Sequence, residues 1–182
     1  VITLLSIALF SCKNKEAFTI SGTLENPGSL KKVFLMEADS TDIKVIDSAN
    51  LSEQGKFEFK HAAPYANLYR LRVGGTMFDL IAKNGDDIDF KTNITDHTHT
   101  YNLTGSEESE KYREFNKINK LYGEKTAKIT QEYQNKAQAI GKESDSLVSI
   151  YYPMFQKNVT AYSEEVLKFI KANKHSLAGF YA

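Results

Sequence analysis

The sequence predicts an α+β protein: an antiparallel β-sandwich of seven or eight short strands, followed by a long antiparallel helical hairpin. Up to about residue 104, apolar and polar residues alternate in short runs separated by turn residues, as in β-strands. Beyond Gly105, apolar residues recur at every third or fourth position, as on one face of a helix. The contents of 41% hydrophobic and 25% charged residues are typical of a folded globular chain.

The first part of the chain, assigned to a β-sandwich domain over residues 17–104, contains strand-like runs spaced about ten residues apart. Turn formers such as Asn26-Pro27-Gly28 and Gly74-Gly75 separate these runs. Asn84-Gly85 is the strongest hairpin signal, so we expect the runs on either side of it to pair with each other. The runs cover residues 18–24, 33–36, 43–46, 57–59, 65–73, 77–81, 88–90 and 101–103.

Two apolar stripes predict a helical hairpin over residues 105–174, with a polar break at residues 141–144. The short connection makes the two helices antiparallel neighbours. Pro153 lies inside the second helix and is expected to kink it or to reset its start, because proline lacks a backbone N–H. Tyrosines occur along both stripes. The second stripe consists of Leu147, Tyr151, Phe155, Val159, Tyr162, Val166, Phe169 and Ile170. The stripes are expected to pack the hairpin on itself, and a seam for a partner or for dimerisation is the alternative.

The N-terminus has the features of a bacterial lipoprotein signal. Residues 1–11 form an uncharged, mostly apolar run, too short for the roughly 20 residues that span a bilayer. The Leu-Phe-Ser-Cys of residues 9–12 resembles a lipobox, with Phe10 where a small residue is usual. The resemblance implies that Cys12 carries the lipid and that residues 12–16 form the tether. The alternative makes Cys12, the one cysteine of the chain, a thiol in a protein core.

Six short motifs occur in a fixed order along the chain. They are Phe-Thr-Ile-Ser-Gly at 18–22, Val-Phe-Leu at 33–35, Ile-Asp-Ser at 46–48, Gly-Lys-Phe-Glu-Phe at 55–59, Ile-Ala-Lys-Asn-Gly-Asp at 81–86 and Gly-Ser at 105–106. This ordered set resembles the N-terminal domain of unknown function in Bacteroidetes-type lipoproteins. In that family the β module precedes a helical segment and then a thioredoxin-like domain of the AhpC/TSA or TlpA type. The resemblance implies that residues 175–182 begin a linker to such a domain beyond Ala182, with Lys174 where a proline is frequent.

The resemblance leads to the hypothesis of a non-catalytic accessory module in a membrane-anchored periplasmic thiol–disulfide oxidoreductase. The family's redox chemistry depends on a Cys-x-x-Cys motif, which the sequence lacks, so no catalytic residue and no cofactor are assigned to this fragment. The lipid on Cys12 is expected to anchor the protein to the outer membrane, on the side that faces the periplasm. The other expected partners are substrate or partner proteins in the periplasm. The alternative is a stand-alone glycan- or peptide-binding lipoprotein.

The charge balance argues against nucleic acid as a partner. Lys plus Arg and Asp plus Glu both number 23, which gives a formal net charge of +0. A protein that follows a phosphate backbone needs a basic excess or a basic stripe, and the sequence has neither.

Two polar clusters could bind metals but have simpler structural interpretations. His97 and His99 could contact a metal together with Asp96, yet a Thr-rich loop favours solvated histidines. The three aspartates of residues 86–89 could bind a hard cation, yet acidic residues are typical of turns. We therefore predict no metal site.

Three tyrosines could form a platform for sugar stacking on the sandwich. Tyr65, Tyr69 and Tyr101 lie in or beside predicted strands, but the chain has no Trp, which is the usual large platform residue. Packing in the core or at its rim is the favoured interpretation.

Overall fold

The computed structural model describes residues 16–38, 43–141 and 144–182. Cys12, the predicted signal segment and most of the predicted tether lie outside the described residues. The chain divides into two compact units, one ending at Ser106 and the other beginning at Glu107.

The first unit confirms the predicted fold class, with eight strands among its described residues. The strands are β1 (Phe18–Glu25), β2 (Lys32–Ala38), β3 (Ile43–Asn50), β4 (Lys56–His61), β5 (Asn67–Val73), β6 (Thr76–Ala82), β7 (Asp87–Asn93) and β8 (Tyr101–Thr104). They form two four-stranded sheets, with strand orders β4-β1-β7-β8 and β3-β2-β5-β6. Apart from β3, whose Ile43 and Val45 are exposed, the strands point alternate apolar residues inward, so each sheet covers the other.

Strand pairing departs from the sequence prediction in two ways. β1 and β7 pair in parallel, whereas the other neighbouring strands are antiparallel. The hairpin predicted at Asn84-Gly85 is wrong, because β6 and β7 belong to different sheets. The Gly85 N–H donates to the Ala17 carbonyl at 3.0 Å, and the Asn84 side chain accepts from the Ala63 N–H at 2.6 Å. These bonds to distant segments direct the chain from one sheet to the other.

Aromatic rings fill the space between the two sheets. Phe78 and Phe90 lie on opposite sheets, with ring centroids 5.2 Å apart. Phe57 lies over Gly22, where an added Cβ would come within 2.0 Å of the ring, so the core requires glycine there. Full burial of a large apolar side chain stabilises the folded state by ~1.5–3 kcal/mol. Because many such side chains are buried between the sheets, this core is the main source of the unit's stability.

The second unit confirms the helical hairpin. Helix α1 (Glu107–Ile140) and helix α2 (Asp145–Ala172) run antiparallel. Three aromatic pairs lie along their seam, and the ring centroids within each pair are 5.5–5.9 Å apart. The pairs are Phe115 with Phe169, Tyr122 with Tyr162, and Tyr133 with Tyr151.

Pro153 does not reset the start of α2. The helix begins earlier, where the Ser144 side chain accepts a hydrogen bond from the Leu147 N–H at 3.3 Å, and it continues through Pro153 to Ala172. The N-cap satisfies a donor of the first turn, and packing along the seam holds the helix on both sides of the proline.

A short third helix, α3 (Leu177–Tyr181), occupies most of the segment interpreted as the start of a linker. The Ala178 N–H donates to the Glu108 carboxylate at 3.0 Å, and the rings of Tyr181 and Tyr112 lie 6.4 Å apart. A Cβ at Gly179 would come within 2.2 Å of the Asn173 carbonyl oxygen, so this approach also requires glycine. These residues belong to the helical unit and pack against α1.

Candidate functional site

The histidine-containing loop after β7 is organised around Asp96. Its carboxylate accepts hydrogen bonds from the Thr98 N–H and hydroxyl at 2.9 and 2.7 Å, and these bonds lower the pKa of Asp96. His97 is exposed, and His99 Nδ1 lies 3.5 Å from the Thr76 hydroxyl. The Asp96 carboxylate closes a turn, which is a structural role.

The three aspartates around β7 make separate local contacts. Asp86 accepts from the Lys83 N–H at 3.0 Å and thereby closes the turn before the strand. Asp87 accepts from the Thr19 hydroxyl at 2.6 Å, and Asp89 lies 3.5 Å from the Lys91 ammonium. Within the described ranges, no three His, Cys, Asp or Glu side chains are grouped as a metal site would require.

The three candidate platform tyrosines lie at different depths and do not form one surface. Tyr69 is in the core, with its ring centroid 5.0 Å from that of Phe18, and burial, with a smaller effect of Glu37, raises its pKa to about 12. Tyr101 is half-buried, and Tyr65 is exposed. The aromatic platform considered for glycans is therefore not formed by these residues.

The sandwich instead has a polar hollow of about 630 Å³ beside β1 and β4. Hydroxyl, carboxylate and ammonium groups of exposed or half-buried residues surround it, so it can donate and accept hydrogen bonds. Its aromatic lining residue, Phe57, is largely buried in the core. The lining can therefore hydrogen-bond a polar ligand, but it offers no exposed aromatic ring on which a sugar could stack. The side chains that line it include Ser21, Thr23, Lys56, Glu58 and Asp89.

The seam of the hairpin contains buried polar groups midway along α1 and α2. The Asn158 amide donates to the Tyr122 carbonyl at 3.1 Å and to the Thr126 hydroxyl at 2.9 Å. The Tyr162 hydroxyl donates to the Asn119 side chain at 2.8 Å. A hollow of about 260 Å³ opens at this point, and Gly123 and Val159 also line it.

A larger groove of about 520 Å³ lies along the same two helices. Apolar side chains such as Ile129 and Met154 line it together with Lys125, Lys128 and Lys157. The Lys125 ammonium lies over the Tyr122 ring, 4.5 Å from its centroid. Glu132 also lines the groove, which therefore combines apolar side chains with three lysines and one carboxylate.

Helix α2 also exposes a row of apolar side chains beside its seam with α1. Val148, Tyr152, Phe155 and Val159, together the α2 stripe, are 46%, 57%, 37% and 38% exposed. The sequence prediction assigned Phe155 and Val159 to the packed stripe and did not include the other two. Pairs of consecutive apolar residues in α2 could have indicated this exposed row. Consecutive residues of a helix lie about 100° apart, so both members of a pair cannot face the same neighbouring helix.

None of the helices among the described residues is long and apolar enough to span a membrane. No curated protein was found to match the chain. A solved structure from Bacteroides ovatus, described only provisionally as a cell adhesion protein, matches with 10% identity and a TM-score of 0.27. That match covers 50% of this chain and 43% of the other, and nothing is transferred from it.

A family model does match the sandwich. Residues 18–112 match the model described as a domain of unknown function, DUF4369. The matched range contains all eight strands and the first turns of α1, and it is just over half of the 182 residues. This chain therefore belongs to the DUF4369 family.

Proposed function

We propose that this chain is the accessory module of a lipid-anchored envelope protein, and that its β-sandwich and hairpin hold partner or substrate proteins for a thioredoxin-like domain encoded beyond Ala182. The observation that carries a docking role is the apolar surface that the helical unit exposes outside the α2 stripe, to which Leu121, Leu167 and Phe180 contribute. Exposed apolar surface rimmed by polar residues is typical of sites that contact other proteins, membranes or ligands.

The redox part of the proposal rests on the resemblance to lipoproteins with a thioredoxin-like domain. In those proteins a Cys-x-x-Cys thiolate attacks a disulfide of the substrate. The sole cysteine of this chain is Cys12, whose sulfur would be alkylated in the lipidated protein. The thiols therefore have to come from the proposed downstream domain.

Extending the gene sequence past the codon for Ala182 tests the redox part. We expect a thioredoxin-like region with Cys-x-x-Cys, and the longer protein should reduce insulin disulfides. Deleting residues 17–174 should slow reduction of the native partner proteins but leave insulin reduction intact. A stop codon, or a continuation without Cys-x-x-Cys, would refute the redox proposal.

Lipid labelling tests the anchor. Two or three acyl chains hold a protein stably on a membrane, whereas one is marginal. When the protein is expressed behind a lipoprotein signal, the wild type should incorporate labelled palmitate and fractionate with the outer membrane. Cys12→Ser should abolish labelling, and Lys15→Ser, a nearby control, should leave it unchanged. Equal labelling of the wild type and Cys12→Ser would exclude Cys12 as the lipid site.

A second candidate function is binding of a glycan or peptide by a stand-alone lipoprotein, and the polar hollow beside β1 and β4 favours it. A ligand for this hollow should raise the Tm of the protein. Glu58→Gln and Asp89→Asn should remove that rise, whereas Glu53→Gln, outside the lining, should retain it. If none of a broad set of oligosaccharides and peptides raises the Tm, this candidate is wrong.

A further inference from the structure

The α2 stripe faces a different direction from the residues that pack on α1. Leu147 is buried, and the ring of Tyr151 lies 5.9 Å from that of Tyr133 on α1. The next residue in each case, Val148 or Tyr152, is rotated by about 100° and is exposed. Successive members of the stripe are four, three and four positions apart. This spacing is the repeat by which one helix packs along another.

The helix surface around the stripe is almost free of charge. From residue 146 to residue 163, α2 carries a single charged side chain, Lys157, which lines the 520 Å³ groove. Helix α1 carries thirteen charged residues among its 34. Depletion of charge distinguishes the centre of a protein interface from the rest of a surface. The solvent-facing side of α2 has the composition of an interface.

A glycine next to the stripe adds an independent observation. Gly123 lies in the middle of α1, where glycine is unfavourable relative to alanine. Among the described residues, a Cβ there would meet nothing within 4 Å, so the packing of the described part of the chain does not require glycine. Gly123 and the stripe residue Val159 line the same 260 Å³ hollow, which leaves room for a side chain from outside the hairpin.

We propose that the α2 stripe and the Gly123 hollow form the docking face for a second copy of this chain, with α2 of one copy packed along α2 of the other. The spacing of the stripe fits a helix. A two-fold axis places the same patch on both sides of the interface, and an uncharged stripe brings no like charges together. A bulky stripe side chain of each copy enters the hollow beside Gly123 of its partner.

The small size of the surface is typical of a weak, reversible interface. The stripe is about 16 Å long at ~1.5 Å per residue, so the buried area lies near or below the ~1,200 Å² at the lower end of stable interfaces. We expect a dissociation constant in the micromolar range. Association therefore has to be measured over protein concentrations from about 1 to 500 μM, an interval that spans a Kd of about 1–100 μM.

Sedimentation equilibrium of the full chain, with two charge substitutions on α2, tests the proposal. Tyr152 and Ile150 are both 57% exposed, but only Tyr152 belongs to the stripe. We expect the wild type and Ile150→Glu to dimerise alike, and Tyr152→Glu to raise the Kd at least tenfold. Circular dichroism should show the same helix content in all three proteins.

A wild type that stays monomeric to 500 μM would overturn the proposal, even if its stripe bound lipid vesicles or another protein. Equal weakening by both substitutions, or by neither, would also overturn it. Gly123→Leu examines the hollow, since it should raise the Kd without lowering helix content, and an unchanged Kd would refute that part of the docking face. The measurement involves neither lipid nor thiol, so its failure is distinct from failure of the proposed function.

Discussion

The β-sandwich buries most of its apolar side chains, whereas the helical unit leaves many of its large apolar side chains exposed. Among the described residues, 21 hydrophobic residues of the sandwich are buried, against three in the helical unit. In the same described ranges, large exposed hydrophobic residues number four in the sandwich and ten in the helical unit. The three buried hydrophobic residues of the helical unit are Phe115, Leu147 and Ala178.

The difference follows from the geometry of the two architectures. A strand alternates its side chains between two faces, so the opposite sheet can cover every inward residue. A helix in a two-helix hairpin has one neighbour, which covers a single stripe and leaves the other apolar positions exposed. The sandwich therefore provides most of the stability, and the helical unit keeps apolar surface available for contacts.

Truncation of a core aromatic side chain in the sandwich should have the largest effect. Phe90 is fully buried between the sheets and touches Phe78 and Tyr101. We expect Phe90→Ala to lower the free energy of unfolding of the sandwich by about 3–5 kcal/mol, because transfer and cavity terms add. Chemical denaturation followed by tyrosine fluorescence measures this loss. Tyr65→Ala, at an exposed position, should change stability by less than about 0.5 kcal/mol.

Alkaline pH tests the same core through Tyr69. Its pKa is raised to about 12, so the folded state holds the phenol proton more tightly than the unfolded chain, whose pKa is near 10. Stability from this group is complete below pH 10 and falls between pH 10 and 12, by an amount on the order of 2–3 kcal/mol. Tyr69→Phe should remove this part of the alkaline loss. Tyr65→Phe should not, and equal pH profiles for both variants would contradict the assignment.

The positions of the strands can be predicted from the sequence, but their partners cannot. Alternation identifies a buried face without naming the neighbouring strand, so all eight runs correspond to strands while the Asn84-Gly85 hairpin does not form. A turn containing Asn-Gly can connect two paired strands of a hairpin or two strands that belong to different sheets. Bonds to Ala17 and Ala63, which are distant in sequence, decide between them.

The candidate sites were harder to predict than the strands, because the spacing of residues along the sequence does not show how deeply each side chain is buried. Tyr69 and Tyr101 both follow strand patterns, yet one lies in the core and the other at its rim. On α2, the period of 3.6 identifies a helix, but the doublets Leu147-Val148 and Tyr151-Tyr152 extend the apolar surface beyond what α1 covers. Only the arrangement of α1 shows which member of each doublet is exposed.

The polar seam of the hairpin should contribute a smaller part of stability than the sandwich core. Asn158→Ala removes the donor to the Thr126 hydroxyl and the Tyr122 carbonyl, and we expect a loss of about 1–2 kcal/mol. Circular dichroism at 222 nm follows this unit, since the long helices dominate the signal. Thr160→Ala, at an exposed position on α2, is the control. Equal midpoints for the two variants would mean that the buried amide adds nothing.

The smallest expected effect is that of a substitution at Gly123, which should change the stability of the monomer and the affinity of the dimer in opposite directions. Because no atom of the residues that the structure describes lies within 4 Å of a Cβ at this position, Gly123→Ala should stabilise α1 by up to about 1 kcal/mol in dilute protein. The same methyl group narrows the hollow lined by Val159, so the dimer should weaken while the monomer gains stability. Thermal unfolding at a concentration well below the Kd, together with sedimentation above it, measures both changes. If Gly123→Ala stabilised the fold but left the Kd of the dimer unchanged, the difference in apolar burial between the two units would still hold. The hollow beside Gly123 would then not be the place where a second copy of the chain docks.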